Sequence, residues 1–415
     1  MLAMATTSPT SIPVADRVHQ FTYAIRNIVA EARAVEATGK TVRYLNIGDP
    51  IPFGFPTPPA LVEIVTKAMT DGANGYVPSP GIQPARDAVA QEWSGRGFPV
   101  SPDRVLITAG TSEGIELALT ALANPGDRVL VPLPTYPLYT AVLAKIGADP
   151  AFYRTDPARG WIPDLEHLES LITPRTRALV LIDPNNPTGA VYPAPIRRAL
   201  LDLAERHGLV ILADEVYDKV LYDGARHTAI ASLSNDVLTL TFNSLSKSYR
   251  SCGYRAGWLV VSGDKKLAQD YIEGLNMLSN MRLCANVPGQ WAIQTALGGY
   301  QSINDLTCEG GRLRRQRDLA YELITAIPGV TCVKPTAALY MFPKLDPKVY
   351  PIEDDRQFFL EMLKETKVML VQGTGFNWAT PDHFRIVFLP HEEDLREAVN
   401  RIARFLERYR QRTTQ

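Results

Sequence analysis

Lys247 stands in F-N-S-L-S-K-S-Y-R-S-C-G-Y-R (residues 242–255), among hydroxyls and eight residues ahead of the cation Arg255. A lysine just past an apolar run can serve as an amine nucleophile and as a proton carrier. Three other segments supply what such a lysine would need. D-P-N-N-P-T-G (183–189) follows the apolar run 178–182 and sets two amides on a turn stiffened by proline. A-D-E-V-Y (213–217) ends another apolar run with Asp214, a carboxylate at a buried sheet edge that must pair with a cation to stay ionised. T-A-G-T-S-E (108–113) reads as strand, small-residue turn and helix start, offering backbone N–H groups and two hydroxyls to an anion. Each segment alone is an ordinary strand-to-helix turn. Together they ask for one ligand with a phosphate, a basic ring nitrogen, a hydroxyl and an aldehyde.

These motifs need elements to hold them. The runs 104–108, 128–132, 178–182, 209–213, 237–242 and 256–261 are mostly apolar throughout, as in strands covered on both faces of a largely parallel sheet. Helical stretches such as 112–122 and 194–206 alternate with them, so residues 60–290 spell a doubly wound α/β domain. The motifs then fall at strand ends, where open α/β sheets bind ligands. Beyond about residue 295 the texture changes: helices are expected at 311–326, 354–366 and 392–410, with strand pieces at 330–334, 339–342, 368–371 and 383–388. Towards the N-terminus a helix is expected over 16–38, ended by Gly39, then a strand at 42–47 and a proline-rich loop. The expected organisation is a mobile tail (1–16), an N-terminal segment (17–55) packed with the small domain and the mouth of the site, a large domain (56–295) and a small α+β domain (296–415).

Charge narrows the partners. Lysine and arginine number 43 against 44 acidic residues, a net charge of −1, which leaves no basic excess for a phosphate backbone. The four cysteines, Cys252, Cys284, Cys308 and Cys332, form no C-x-x-C pair, so neither a zinc site nor a dithiol switch is signalled. The longest apolar runs are about strand length, well short of a membrane span, and the first residues carry no apolar leader. A cytoplasmic protein with no metal, membrane or nucleic-acid partner is expected.

The combination of N-N-P-T-G, D-E-V-Y 25 residues past its last glycine, and S-L-S-K-x₇-R resembles the fold-type I aminotransferases of class I and II, from about Arg43 to Arg410. Finer stretches, L-N-I-G-D-P-I-P-F-G-F, A-L-Y-M-F-P-K and V-Q-G-T-G-F-N-W among them, are similar to bacterial alanine (glutamate–pyruvate) aminotransferases. The resemblance implies pyridoxal 5′-phosphate as cofactor and ping-pong transfer of an amino group between alanine/pyruvate and glutamate/2-oxoglutarate. It implies that Lys247 joins the cofactor aldehyde and then carries the proton, and that Asp214 pairs with the ring nitrogen. Asn186 and Tyr217 would bond the ring 3′-oxygen, and Tyr136 would stack on the ring. Thr111, Ser112, Arg255 and a hydroxyl of Ser244 or Ser246 would hold the phosphate, the guanidinium fork suiting phosphate oxygens better than an ammonium. Tyr76 would reach the phosphate of the neighbouring subunit of a homodimer. Arg385, in H-F-R-I-V-F, would clamp the substrate carboxylate with Asn186 and the Gly48 backbone.

Arg26, on the N-terminal segment that the resemblance lays over the site, is expected to swing in for the γ-carboxylate of glutamate and out for alanine. The same cofactor site could also run aspartate, aromatic or kynurenine transamination, or β-elimination of cysteine conjugates. From another class, the fold serves as the sensor of DNA-binding regulators. Those carry an extra N-terminal DNA-binding domain, whereas fewer than 50 residues precede Gly48 here, and the charge argues against it.

Overall fold

The computed structural model describes residues 14–20 and 28–413. Its centre is an eight-stranded sheet. In chain order after the short β1 (Arg43–Tyr44), its strands are β2 (Val105–Thr108), β3 (Arg128–Leu133), β4 (Asp149–Asp156), β5 (Ile162–Pro163), β6 (Thr176–Ile182), β7 (Val210–Asp214), β8 (Thr239–Ser244) and β9 (Gly257–Ser262). The spatial order is β2-β9-β8-β7-β6-β3-β4-β5. The central pairs β8·β7, β7·β6, β6·β3 and β3·β4 are parallel, while β9 runs antiparallel to both its neighbours and β5 antiparallel to β4.

The apolar runs form strands here because both faces are covered. In β6, Ala178, Val180 and Ile182 face one cluster with Val131, Leu212, Leu240 and Phe242. Leu179 and Leu181 face the other, with Leu130, Ile211 and Ala213. All are 2% exposed or less. Each buried Leu, Ile or Val side chain contributes about 1.5–3 kcal/mol relative to exposure, so the register of this sheet is set strongly.

A smaller domain packs on a separate core built from the C-terminal elements. Strand Phe384–Val387 lies between Tyr340–Met341 and Val371–Gln372, antiparallel to both. The terminal helix Glu392–Thr413 turns Leu395, Ala398, Val399, Ile402, Phe405 and Leu406 inward, the spacing of one helical face. Leu45 and Phe55 join this core, and β1 pairs in parallel with Val368–Met369.

Some expectations are corrected. β4 was not expected: its alternating burial reflects a place near the sheet edge, so it carries no continuous apolar run. The 256–261 strand exists as β9 but is antiparallel, because the chain returns through a closed loop rather than a helical crossover. The helix expected over 16–38 is a 3₁₀ turn at Asp16–Gln20 and an α-helix at Val29–Glu36. The stretch between them, Arg26 included, lies outside the described residues, as does most of the expected tail.

Candidate active site

Strand ends β2, β6, β7 and β8 open on one cavity of about 470 Å³, which small-domain residues Tyr340 and Arg385 close from the other side. Of the residues selected from the sequence, Gly48, Thr111, Ser112, Tyr136, Asn186, Asp214, Tyr217, Ser244, Ser246, Lys247, Arg255 and Arg385 all line it. Tyr76 does not; it is 85% exposed on the surface.

Lys247 and Arg255 share one loop. β8 and β9 pair with Ser244 opposite Gly257, and Leu245 N donates to Ala256 O at 2.9 Å, so residues 245–256 close on themselves. Half-buried Lys247 donates from Nζ to Gly48 O at 2.6 Å. Burial lowers the affinity of that amine for its proton, but the charges of Tyr340, Cys252 and Asp49 outweigh it and hold its pKa above the ordinary value. Arg255, in the left-handed region at φ 49°, donates to Cys252 O and Ala109 O, both at 3.0 Å. Its guanidinium thus lies against the turn that starts helix Thr111–Leu122. Gly110, at φ 78°, makes the approach possible: a Cβ there would overlap the guanidinium. The Thr111 Oγ at this helix start is buried with no hydrogen-bond partner, an orphan acceptor and donor aimed at nothing in the protein.

Asp214 ends β7, 5% exposed. Its carboxylate accepts from Tyr139 Oη at 3.3 Å and from Val216 N at 3.4 Å. Burial raises its pKa to about 6, against those two bonds and the Lys247 charge, which lower it. In the 183–189 turn the two asparagines divide the work. Asn185 Oδ1 accepts from Thr188 N at 3.2 Å and Thr188 Oγ1 at 2.8 Å and so builds the turn, while Asn186 reaches the cavity. Asn186 Oδ1 accepts from Arg385 Nη1 at 3.0 Å, and Arg385 Nη2 donates to Asn46 O. The Arg385 guanidinium lies between two rings, 4.3 Å from Tyr340 and 4.7 Å from Phe376. The Ser244 Oγ accepts from Ser246 N at 3.3 Å, and both serines are buried.

Sequence reasoning missed two tyrosines. Tyr139 holds Asp214, and its only signal was its place one helical turn after Tyr136. Tyr340 places its hydroxyl 2.6 Å from that of Tyr217. It also explains Gly48, which is no left-handed turn glycine: a Cβ there would overlap the Tyr340 hydroxyl. The site thus combines a buried carboxylate, an amine, an anion cup and a bidentate cation, enough to hold a phosphorylated aromatic ring and a substrate carboxylate side by side.

A sequence profile of the family "Aminotransferase class I and II" matches residues 42–402. The alanine aminotransferase of Mycobacterium tuberculosis is 52% identical over 392 residues, covering 94% of this chain and 91% of its own. The glutamate-pyruvate aminotransferase of Escherichia coli is 50% identical over 403 residues, covering 96% and 99%. A crystal structure of an Escherichia coli aminotransferase superposes with a TM-score of 0.94 at 49% identity, covering 96% of this chain and 99% of that one. With its family profile, its relatives and its fold in agreement, the chain belongs to the class I and II aminotransferases.

Proposed function

We propose that the chain transfers an amino group between alanine/pyruvate and glutamate/2-oxoglutarate by a ping-pong mechanism that uses pyridoxal 5′-phosphate. The observation that carries the reading is Asp214, a buried carboxylate that shares one cavity with Lys247, Thr111 and Ser112. Half the sequence is shared with two relatives named for alanine and for glutamate–pyruvate transfer, which favours that substrate pair.

The residues fit the cofactor. The orphan Thr111 Oγ and the Arg255 fork suit a phosphate, with Ser112 and one of Ser244 and Ser246 beside them. Asp214, made a weak acid by burial, suits a protonated ring nitrogen, which would restore its charge. Bound there, the cofactor would supply the electron sink for breaking the substrate Cα–H bond. The chain's own work is then positioning and proton transfer. Lys247 would hold the cofactor through its aldehyde, and its amine is the group placed to carry the proton taken from the substrate Cα. Tyr136 would stack on the ring, and Tyr217 and Asn186 would bond the 3′-oxygen. Arg385 takes the α-carboxylate as a fork, beside Asn186 and the Gly48 backbone.

We also take the enzyme to be a homodimer with Tyr76 reaching the partner's phosphate, divided into the segment, large domain and small domain bounded at residues 55 and 295, and cytoplasmic. Among the described residues no helix is long and apolar enough to cross a membrane. The test is direct. Purified protein loaded with pyridoxal phosphate should change its visible absorbance with alanine and with glutamate, and should convert alanine plus 2-oxoglutarate to pyruvate plus glutamate without ammonia. Release of ammonia with pyruvate would mark a lyase instead.

A further inference from the structure

Tyr340 reaches the cavity from strand Tyr340–Met341, the neighbour of the strand that carries Arg385. It is buried, 3% exposed. Its ring faces the Arg385 guanidinium, and its edge meets Tyr217 with centroids 5.7 Å apart at 84°. Gly48 leaves room for the hydroxyl, which any Cβ at that position would overlap. The hydroxyl itself is 2.6 Å from the Tyr217 hydroxyl.

Two phenols this close share one hydrogen between their oxygens, and the hydrogen of the acceptor points elsewhere. If Tyr217 gives its single hydrogen to the cofactor 3′-oxygen, the 2.6 Å contact is a hydrogen bond only with Tyr340 as donor. We propose that Tyr340 is a positioning residue: it donates to the Tyr217 oxygen and so directs the Tyr217 hydrogen at the cofactor. The inference rests on the cofactor reading above. A phenol that accepts one hydrogen bond donates a stronger one, so Tyr340 also adds to the stabilisation of the 3′-oxyanion. The other charged and titratable groups that line the cavity with this hydroxyl pair are Arg385, Arg255, Lys247, Asp49, Asp214, Tyr136 and Cys252, and the variants below leave all of them in place.

The experiment reads the visible absorbance of cofactor-loaded protein against pH. A weaker bond to the 3′-oxygen favours its protonated, neutral form and moves the spectral midpoint up. Tyr340→Phe should raise the midpoint by roughly 0.5–1 pH unit, the scale of one neutral hydrogen bond. Tyr217→Phe should raise it at least as far, and the double variant no further than Tyr217→Phe alone. 3-Fluorotyrosine at position 340, a stronger acid of nearly the same shape, should lower it. An unmoved midpoint in folded, loaded Tyr340→Phe, or additive shifts in the double variant, would overturn the proposal. Should Tyr340→Phe not fold, the fluorotyrosine protein decides alone, and an unmoved midpoint there is equally fatal. A wild-type protein with no cofactor band at all would overturn the cofactor reading instead.

Discussion

The Lys247 ammonium donates a 2.6 Å hydrogen bond to the carbonyl of Gly48, a residue 199 positions away that also gives Tyr340 its room. One backbone position of the N-terminal segment therefore sets both the amine and a wall of the cavity. Lys219, the other lysine near this region, is engaged elsewhere, by Glu92 at 2.6 Å and Tyr249 Oη at 2.8 Å. Borohydride reduction of loaded protein, followed by peptide mapping, should therefore place the label on Lys247. Lys247→Ala should stay folded, hold the cofactor without a covalent link and lose turnover. A label on Lys219 or any other lysine would sink the assignment.

Asp214 carries a pH signature. Its folded pKa of about 6 lies above the ordinary 3.8, so the folded protein binds this proton more tightly than the unfolded chain. The stability linked to it is full below about pH 4 and is lost as pH rises through 6, a change of about 3 kcal/mol. Cofactor-free Asp214→Asn should match wild type in urea unfolding near pH 4 and exceed it by about 1–3 kcal/mol at pH 7.5. The loaded variant should keep most of its cofactor and lose most of its rate, since the phosphate contacts are untouched. Equal cofactor-free stabilities at pH 7.5 would count against a buried, ionising Asp214.

Gly110 packs against the Arg255 guanidinium beside the anion cup. Gly110→Ala adds a side chain at φ 78° and drives it into the Arg255 guanidinium. At ψ 170° this backbone conformation is essentially confined to glycine, so the strain is about 1–3 kcal/mol, and the displaced cation adds to it. Cofactor affinity by equilibrium dialysis should fall roughly 10-fold or more, with the thermal midpoint of cofactor-free protein lowered only slightly. Wild-type affinity would show that Arg255 need not lie where it does.

Arg385 separates recognition of the α-carboxylate from the rest of the chemistry. Arg385→Leu should lower kcat/KM for alanine and for glutamate alike, by 10-fold or more for the loss of a charged hydrogen bond of ~1.5–3 kcal/mol. Arg385→Lys should recover little, because the fork and the stacking between Tyr340 and Phe376 are both lost. The spectrum of the loaded protein without substrate should keep its cofactor band. A loss confined to glutamate would move Arg385 to the γ-carboxylate.

What was legible in the sequence was what a strand end makes local. β6, β7 and β8 are apolar runs buried on both faces, and Asn186, Asp214, Ser244 and Lys247 lie at or just beyond their C-terminal ends. β4 was not legible because its burial alternates, and a D-P-A-F-Y-R-T-D stretch reads as polar loop. Tyr139 had a helical spacing from Tyr136 but nothing to say that its hydroxyl meets Asp214 rather than a backbone carbonyl. Tyr340 and the smallness of Gly48 explain each other only through the packing of the small domain on the N-terminal segment, a contact no local pattern encodes. Arg26 remains an expectation of the sequence alone.

In the proposed dimer each site draws on both chains. Tyr76 is 85% exposed and away from its own chain's cavity, as a residue serving a partner would be. A Lys247→Ala homodimer has no competent site, and a Tyr76→Phe homodimer has two sites weakened at the phosphate. In a hybrid of the two chains, the site built on the Tyr76→Phe chain has its own Lys247 and would receive an intact Tyr76 from the Lys247→Ala chain. The other site lacks both. Co-refolded chains, separated by different affinity tags, should thus yield hybrids in which one site per dimer binds pyridoxal phosphate with wild-type affinity. If Tyr76 served its own chain, that Lys247-bearing site would keep the Tyr76→Phe defect. Hybrids no tighter in binding than the Tyr76→Phe homodimer, at cofactor concentrations where that homodimer is half loaded, would overturn the shared site, and a monomer in sedimentation would overturn the dimer itself.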